Sequence, residues 1–272
     1  MKLVIRAADY GMVDCITDGC LKAIRDGVLN CVGLMTNNYK YAKRAAELIK
    51  QYPHVEVGQE INLVSGIPAS DPKDIPSLVN EEGRFLTSQE RIKAGNPEIA
   101  FEDAYREVDA QMKRFVELMG RKPTYFSGHS YSTPTIEAAL TAAGKDNGFI
   151  DRIDIINAAG VVSVKPEWYK VPETPDGNGR GAYTAEIQKN LPVTRVMVSE
   201  LDKYVNDEYV WMNTHCGYCD GELCDMSTFN VIRGKECQAL CSPELKNWIE
   251  SHDVEMTSFE EIGKAVGVCY KD

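Results

Sequence analysis

Four side chains in this sequence are of types that do chemistry and stand where they can do it: Asp9, Glu60, His129 and His215. Asp9 follows the apolar run Leu3 to Ala7, and Glu60 lies within Val55 to Leu63. His129 ends the run Tyr125-Phe126-Ser127-Gly128-His129, and His215 follows Tyr209 to Thr214. Parallel α/β folds keep their working residues at the carboxyl ends of strands. An Asp, a Glu and a His meeting there offer two carboxylate oxygens and an imidazole nitrogen, a donor set for a hard or borderline divalent cation. A plainer reading stands beside each. An Asp just past a strand often makes a turn or caps a helix, and a lone His after a strand is more often a hydrogen-bonded core residue than a ligand. Glu60 would be unremarkable on the solvated side of its strand, but buried without a partner it would be costly.

These residues need a scaffold, and the periodicity supplies one. Leu3 to Ala7 reads as a buried strand, left by a turn at Asp9-Tyr10-Gly11. Ile16, Cys20, Leu21 and Ile24 then recur at helical spacing and Gly27 stops the helix. Cys31 to Met35 is the next strand, Tyr41 to Tyr52 the next helix, closed by Pro53, and Val55 to Leu63 a third strand. Residues Val64 to Asn96, punctuated by Pro68, Pro72, Pro76, Gly83 and Gly95, read as a long loop of the kind that serves as a lid or binding wall. Phe101 to Met119 is an amphipathic helix with Ala104, Val108, Met112 and Val116 on one side. Pro123 to His129 is a strand and Ile136 to Ala143 a helix. Ala159 to Lys189, rich in Gly and Pro, has no clear pattern. Val193 to Val198 and Tyr209 to Thr214 read as strands. Ser242 caps a helix from Pro243 to about Ser251, and Val254 to Thr257 precedes a helix from Phe259. With no internal repeat and no linker, residues 1–272 read as a single α/β domain. An open doubly wound sheet and a closed barrel share this pattern.

Composition narrows the function classes. At 272 residues the chain has room for one sizeable core. A net charge of −11 argues against a surface that tracks phosphates, so nucleic acid is not an expected partner. The start of the chain lacks a signal-peptide core, and no run of ~18 apolar residues occurs, so the expectation is a cytoplasmic protein with no membrane partner. Nine cysteines, an odd number in a long chain, suit reduced thiols better than a disulfide framework. The oligomeric state is left open, a homo-oligomer included.

Five motifs then carry a resemblance. Arg6-Ala7-Ala8-Asp9-Tyr10-Gly11, Gly58-Gln59-Glu60-Ile61-Asn62-Leu63, Gly120-Arg121-Lys122-Pro123, Ser127-Gly128-His129 and Thr214-His215-Cys216-Gly217-Tyr218 occur in the order and spacing of the YdjC-like carbohydrate deacetylases. Ser77 to Phe85 also looks like the loop that precedes that family's long helix. The likeness runs from Lys2 to about Ile262. It implies a distorted (β/α) barrel that uses one divalent metal ion, Zn²⁺ or Mg²⁺, to remove acetyl groups from N-acetylated amino sugars or short oligosaccharides. Carried over by position, the family's Asp and one of its two metal-binding His fall on Asp9 and His129, while the other His falls on Glu60. Glu still ligates through oxygen but makes the site harder and more acidic. His215 matches the His that protonates the leaving amine.

The larger departure is Ala8. The family usually has two consecutive acids after the first strand, and the first of them, which resembles a general base, corresponds to this alanine. A methyl group accepts no proton, and loss of positioned acid–base catalysis costs ~10² to 10⁴ in rate. The alternative to a deacetylase is therefore a catalytically inactive sugar-binding pseudoenzyme; a third reading is a metal-dependent hydrolase of a non-sugar amide. Glu60, if free of metal, is a replacement base. Finally, Cys216, Cys219, Cys224, Cys237 and Cys241 cluster in sequence, which admits a zinc site or redox pair, or simply buried thiols, with Cys237 and Cys241 on one helical face.

Overall fold

Strand β1 (Lys2–Tyr10) is buried from Leu3 to its end, which is why it reads as a nearly continuous apolar run rather than as an alternation. The computed structural model describes residues 1–164 and 184–270 and sets β1 inside a parallel sheet. On one side lie β2 (Cys31–Met35), β3 (Glu56–Ile61) and β4 (Phe126–Gly128); on the other lie β6 (Tyr209–Thr214) and then β5 (Val162–Val164). The short β7 (Glu255–Met256) pairs with the first residues of β1. Every pairing among these strands is parallel. The sheet curves into a half-barrel within a single domain, and among the described residues β4 and β5 are its two edges. This is the distorted (β/α) barrel that the motifs implied.

Helices cover the outside. Helix α1 (Asp14–Asp26) buries Ile16, Cys20, Ala23 and Ile24 and stops at Gly27. Then come α2 (Tyr39–Ile49), the short α3 (Ser88–Lys93) and α4 (Phe101–Met119). The buried stripe of α4 is Ala104, Val108, Met112 and Phe115; Val116 turns out to solvent. They are followed by α5 (Pro134–Asn147), α6 (Arg152–Ala159), α7 (Ala185–Asn190), α8 (Val193–Leu201), α9 (Gly221–Met226), α10 (Val231–Leu240), α11 (Pro243–Ser251) and α12 (Phe259–Val266). The Ser242 hydroxyl accepts from Leu245 N at 3.2 Å, so the cap on α11 is where its residue types put it.

Three expectations are corrected. Val193 to Val198 is helix and not strand: the β-branched residues suggested a pleat, yet burial recurs at Val193, Met197 and Leu201, the period of a helix. The stretch from Val64 to Asn96 is ordered, with a 3₁₀ turn at Pro72–Asp74 and α3 inside it. It is pinned to α4, because Glu107 accepts from Ala69 N and Ser70 N, both at 2.8 Å, and Asp103 accepts from Ser77 N at 2.8 Å. The patternless stretch Ala159 to Lys189 holds β5 and most of α7, with residues 165–183 outside the described ones.

The interior of the half-barrel needs space, and small residues provide it. A Cβ on Gly33 of β2 would lie 2.1 Å from Arg6 Nη2 and 2.7 Å from Glu60 Oε2, so only glycine lets these two side chains cross in front of the strand. Gly58 does the same for the Tyr125 ring, 2.2 Å from where a Cβ would stand. Among the described residues, no helix is long and apolar enough to cross a membrane.

Candidate metal centre

A break in the regularity of β1 aims Asp9 inward. Leu3, Ile5 and Ala7 pack in the core beneath the helices while Val4 faces the opposite cluster with Tyr125, Trp211 and Phe259. Plain alternation would send Asp9 out with Ala7. Instead the register against β2 shifts between Ala7 and Tyr10, and Asp9 takes a left-handed backbone, φ 64°. Asp is one of the few residues that tolerate this region, and a bulge that re-aims a side chain beside a site is its common use. The Asp9 amide donates to Glu60 Oε2 at 3.2 Å.

The shift brings three of the four residues singled out from the sequence together. Asp9, Glu60 and His129 each offer one ligand atom within 4.8 Å of the others, and they form the one such group of His, Cys, Asp or Glu among the described residues. His129 Nδ1 stands 2.8 Å from Glu60 Oε1 and 3.3 Å from Asp9 Oδ1. Asp9 and Glu60 are buried and His129 nearly so. The reading of Glu60 as a residue on a wet strand face is therefore set aside, while Asp9 does take part in the turn that leaves β1, its carbonyl accepting from Met12 N at 3.0 Å.

Two arginines hold the outer oxygens of the acids. Arg6 Nη2 lies 2.6 Å from Glu60 Oε2, and Arg233 Nη2 lies 2.7 Å from Asp9 Oδ2. Arg6 is itself fixed, donating from Nε to Tyr125 Oη at 2.9 Å and from Nη1 to Asn213 Oδ1 at 2.7 Å. Burial alone would raise the carboxyls, but Arg233 holds Asp9 well below the usual carboxylate range, and Arg6 does the same for Glu60. Burial likewise disfavours the charged form of His129, yet the two carboxylates outweigh it and raise its pKa. Each acid thus spends one oxygen on an arginine and turns the other to the common point.

His215, just past the end of β6, is half-buried beside this cluster. Its amide donates to Glu236 Oε2 at 2.5 Å, and its ring meets Phe229 edge-on with centroids 5.2 Å apart. Desolvation is the main reason its pKa falls, with the Asp9 charge opposing and Arg233 assisting, so at neutral pH the ring is an uncharged imidazole. Ala8 is buried next to Asp9 and brings no polar atom. Sequence reading missed Arg233 and Glu236, both on α10. The available signal was two charges three apart amid Ile232, Cys237, Ala239 and Leu240, on the face that an amphipathic helix buries.

The cysteines disperse into pairs. Cys216 packs against Cys20 in the core, its sulfur 3.7 Å away; Cys237 and Cys241 sit against backbone carbonyls of α1. Cys219 and Cys224 are exposed with sulfurs 3.4 Å apart. Among the described residues no three thiols converge as a zinc site would require.

The arrangement fits a divalent ion. Asp9 Oδ1 is buried and accepts no hydrogen bond among the described residues, with His129 Nδ1 facing it at 3.3 Å, so the point these groups share suits a cation or a proton. Asp9, Glu60 and His129 would be the residues holding such an ion.

Three comparisons bear on this geometry. The model of the YdjC-like protein family matches residues 2–251. The chain is 30% identical, over 97% of its length and all of the other's, to carbohydrate deacetylase 2 of Listeria innocua serovar 6a. It is 26% identical, with the same coverage, to a carbohydrate deacetylase of Brevibacillus brevis. Among solved structures it is similar to the crystal structure of a protein from Enterococcus faecalis V583, with a TM-score of 0.73 at 20% identity, covering 96% of this chain and 98% of that one, a likeness of fold.

Proposed function

The chain belongs to the YdjC-like protein family, and from that membership we propose that it is a metal-dependent hydrolase that removes acetyl groups from N-acetylated amino sugars or short oligosaccharides. The observation that carries this reading is the convergence of Asp9, Glu60 and His129 on one buried point, where Asp9 Oδ1 accepts no hydrogen bond. We assign residues 1–272 to one domain of this family and Asp9, Glu60 and His129 to its ion. When bound, a divalent ion supplies Lewis-acid polarisation of the acetamide carbonyl and acidifies water.

The remaining work falls to the chain. Arg6 and Arg233 keep both carboxylates ionised, so that neither acid has to shed a proton before it can ligate. His215 rests as neutral imidazole and can accept a proton from the attacking water and return it to the departing amine, one ring in the two roles of base and acid. Ala8 leaves it without the help of a neighbouring carboxylate. That same alanine supports the second reading, a pseudoenzyme that binds acetylated sugar without turning it over.

The test is release of acetate from N-acetylglucosamine oligomers by the native chain and by Ala8→Asp, after elemental analysis of the purified protein. One equivalent of a divalent ion, with acetate released by the native chain and faster by the variant, supports the deacetylase. Sugar binding without acetate from either protein supports the pseudoenzyme, and absence of bound ion after metal loading sinks the metal centre.

A further inference from the structure

The thiols of Cys219 and Cys224 take no part in the metal centre, and the backbone explains why they meet. Asp220 caps α9: its side chain accepts from Leu223 N at 3.0 Å and its carbonyl from Cys224 N at 3.1 Å. The residue before such a cap and the fourth residue of the helix lie side by side, the two positions whose apolar side chains commonly staple a helix entry. Here both are cysteine, exposed, with sulfurs 3.4 Å apart. Cys20 and Cys216 come nearly as close, at 3.7 Å, but both are sealed in the core, where an oxidant has no access.

The chain around the turn is anchored on every side. Ahead of it, Tyr218 N donates to Cys15 O at 2.9 Å and Gly217 N to Arg233 O at 3.2 Å. Within it, Glu222 accepts from the Tyr41 hydroxyl of α2. After it, Asn230 donates from Nδ2 to Ser227 O at 3.0 Å and to Cys224 Sγ at 3.8 Å, while its Oδ1 accepts from Val231 N at 2.7 Å to open α10. A disulfide brings its sulfurs to about 2.05 Å, so rotation of the two side chains closes the gap with the backbone in place. Desolvation, with Cys224 alongside, pushes the Cys219 thiol up to about 11. A thiol so little ionised attacks slowly, which suits a staple and not a catalytic nucleophile.

We propose that Cys219 and Cys224 form a reversible disulfide, closed by exchange with a low-molecular-weight disulfide, that staples the start of α9 on the segment between His215 and Arg233. One protein thiolate attacks a sulfur of the small disulfide and releases the first small thiol. The second protein thiol attacks the mixed disulfide so formed and releases the other. The small disulfide gains two electrons, the two cysteines lose two, and their two protons leave on the released thiols. An exposed bond of this kind is the labile sort that a pool of small thiols opens again. Neither cysteine belongs to the metal centre, so the staple stands or falls apart from the deacetylase reading.

The experiment is incubation of the full native chain with glutathione disulfide, followed by iodoacetamide and peptide mass spectrometry. We expect Cys219 and Cys224 to lose their reactivity with iodoacetamide together, their peptide to appear joined with loss of two hydrogens, and dithiothreitol to restore both thiols. Cys269, exposed elsewhere on the chain, is the control and should stop at the mixed disulfide with glutathione. In Cys219→Ser and Cys224→Ser, each with native circular dichroism, the remaining thiol of at least one variant should stop there too. A separate glutathione on each of Cys219 and Cys224 in the native chain, a link from either to Cys15, or both thiols still open to iodoacetamide after Cys269 has reacted would each overturn the proposal. So would an absence of mixed disulfide from the remaining thiol in both variants.

Discussion

Arg233 Nη2 stands 2.7 Å from Asp9 Oδ2, joining helix α10 to the end of the first strand across the middle of the site. Both side chains are buried. Removing the cation, as in Arg233→Met, leaves Asp9 Oδ2 charged without its guanidinium in a low-dielectric interior. We expect a loss of about 3–5 kcal/mol in urea unfolding, a cost that a mere surface contact would not carry.

Asp9→Asn keeps the shape of that side chain and removes its charge. The variant should hold well under one equivalent of divalent ion after dialysis, measured by elemental analysis, while the native chain holds close to one. Retention of a full equivalent by the folded Asp9→Asn variant would show that the ion sits elsewhere. Because Arg233 loses its partner in the same step, unfolding should be followed in parallel.

Gly33→Ala tests the crossing of Arg6 and Glu60 in front of β2. The added methyl would stand 2.1 Å from Arg6 Nη2, so the pair or the strand must give way. Overpacking of this kind costs about 1–3 kcal/mol. Thermal unfolding should report it, and metal content should fall with it, because Glu60 is the group displaced.

The elements were legible in the sequence wherever burial and spacing agreed. Cys31–Met35, Phe101–Met119 and Tyr209–Thr214 have the observed bounds, because an apolar run between breakers, or an apolar stripe at helical period, is a local signal. Asp9, Glu60 and His129 could be named for their chemistry, since acids and imidazoles at strand ends are few. Their meeting could not be read from periodicity, for it depends on a register shift between Ala7 and Tyr10 that no spacing encodes. Arg233 was invisible for the same reason: its partner lies at the far end of the chain. The strand expected over Val193 to Val198 went wrong because four valines or threonines in a short run favour a strand by type, and tertiary packing overrode that preference.

Ala8→Asp should return a carboxylate beside Asp9. If the missing base limits turnover, kcat rises by ~10² to 10⁴, read as acetate released per minute from N-acetylglucosamine oligomers. An unchanged kcat would assign the whole proton transfer to His215.

The protonation state of His215 gives the pH dependence its sign. Burial holds its pKa below the ordinary value near 6.5, so the ring stays neutral, and able to accept a proton, further into acid than a free histidine. kcat/KM should therefore fall only below about pH 6.5, with its acid limb displaced downward. The unfolded chain binds the proton more readily than the folded one between the depressed value and 6.5. In that window this residue makes stability rise with pH, a slope that His215→Asn should remove. An acid limb above pH 7 would contradict the assignment.

The contact of Arg6 with Glu60 has a consequence for descent. Histidine at position 60 beside an unchanged arginine at position 6 would strand a buried cation, and loss of the arginine beside an unchanged Glu60 would strand an anion. Either step alone costs about 3–5 kcal/mol, so these two positions should be inherited as a unit, each exchanged in company with the other.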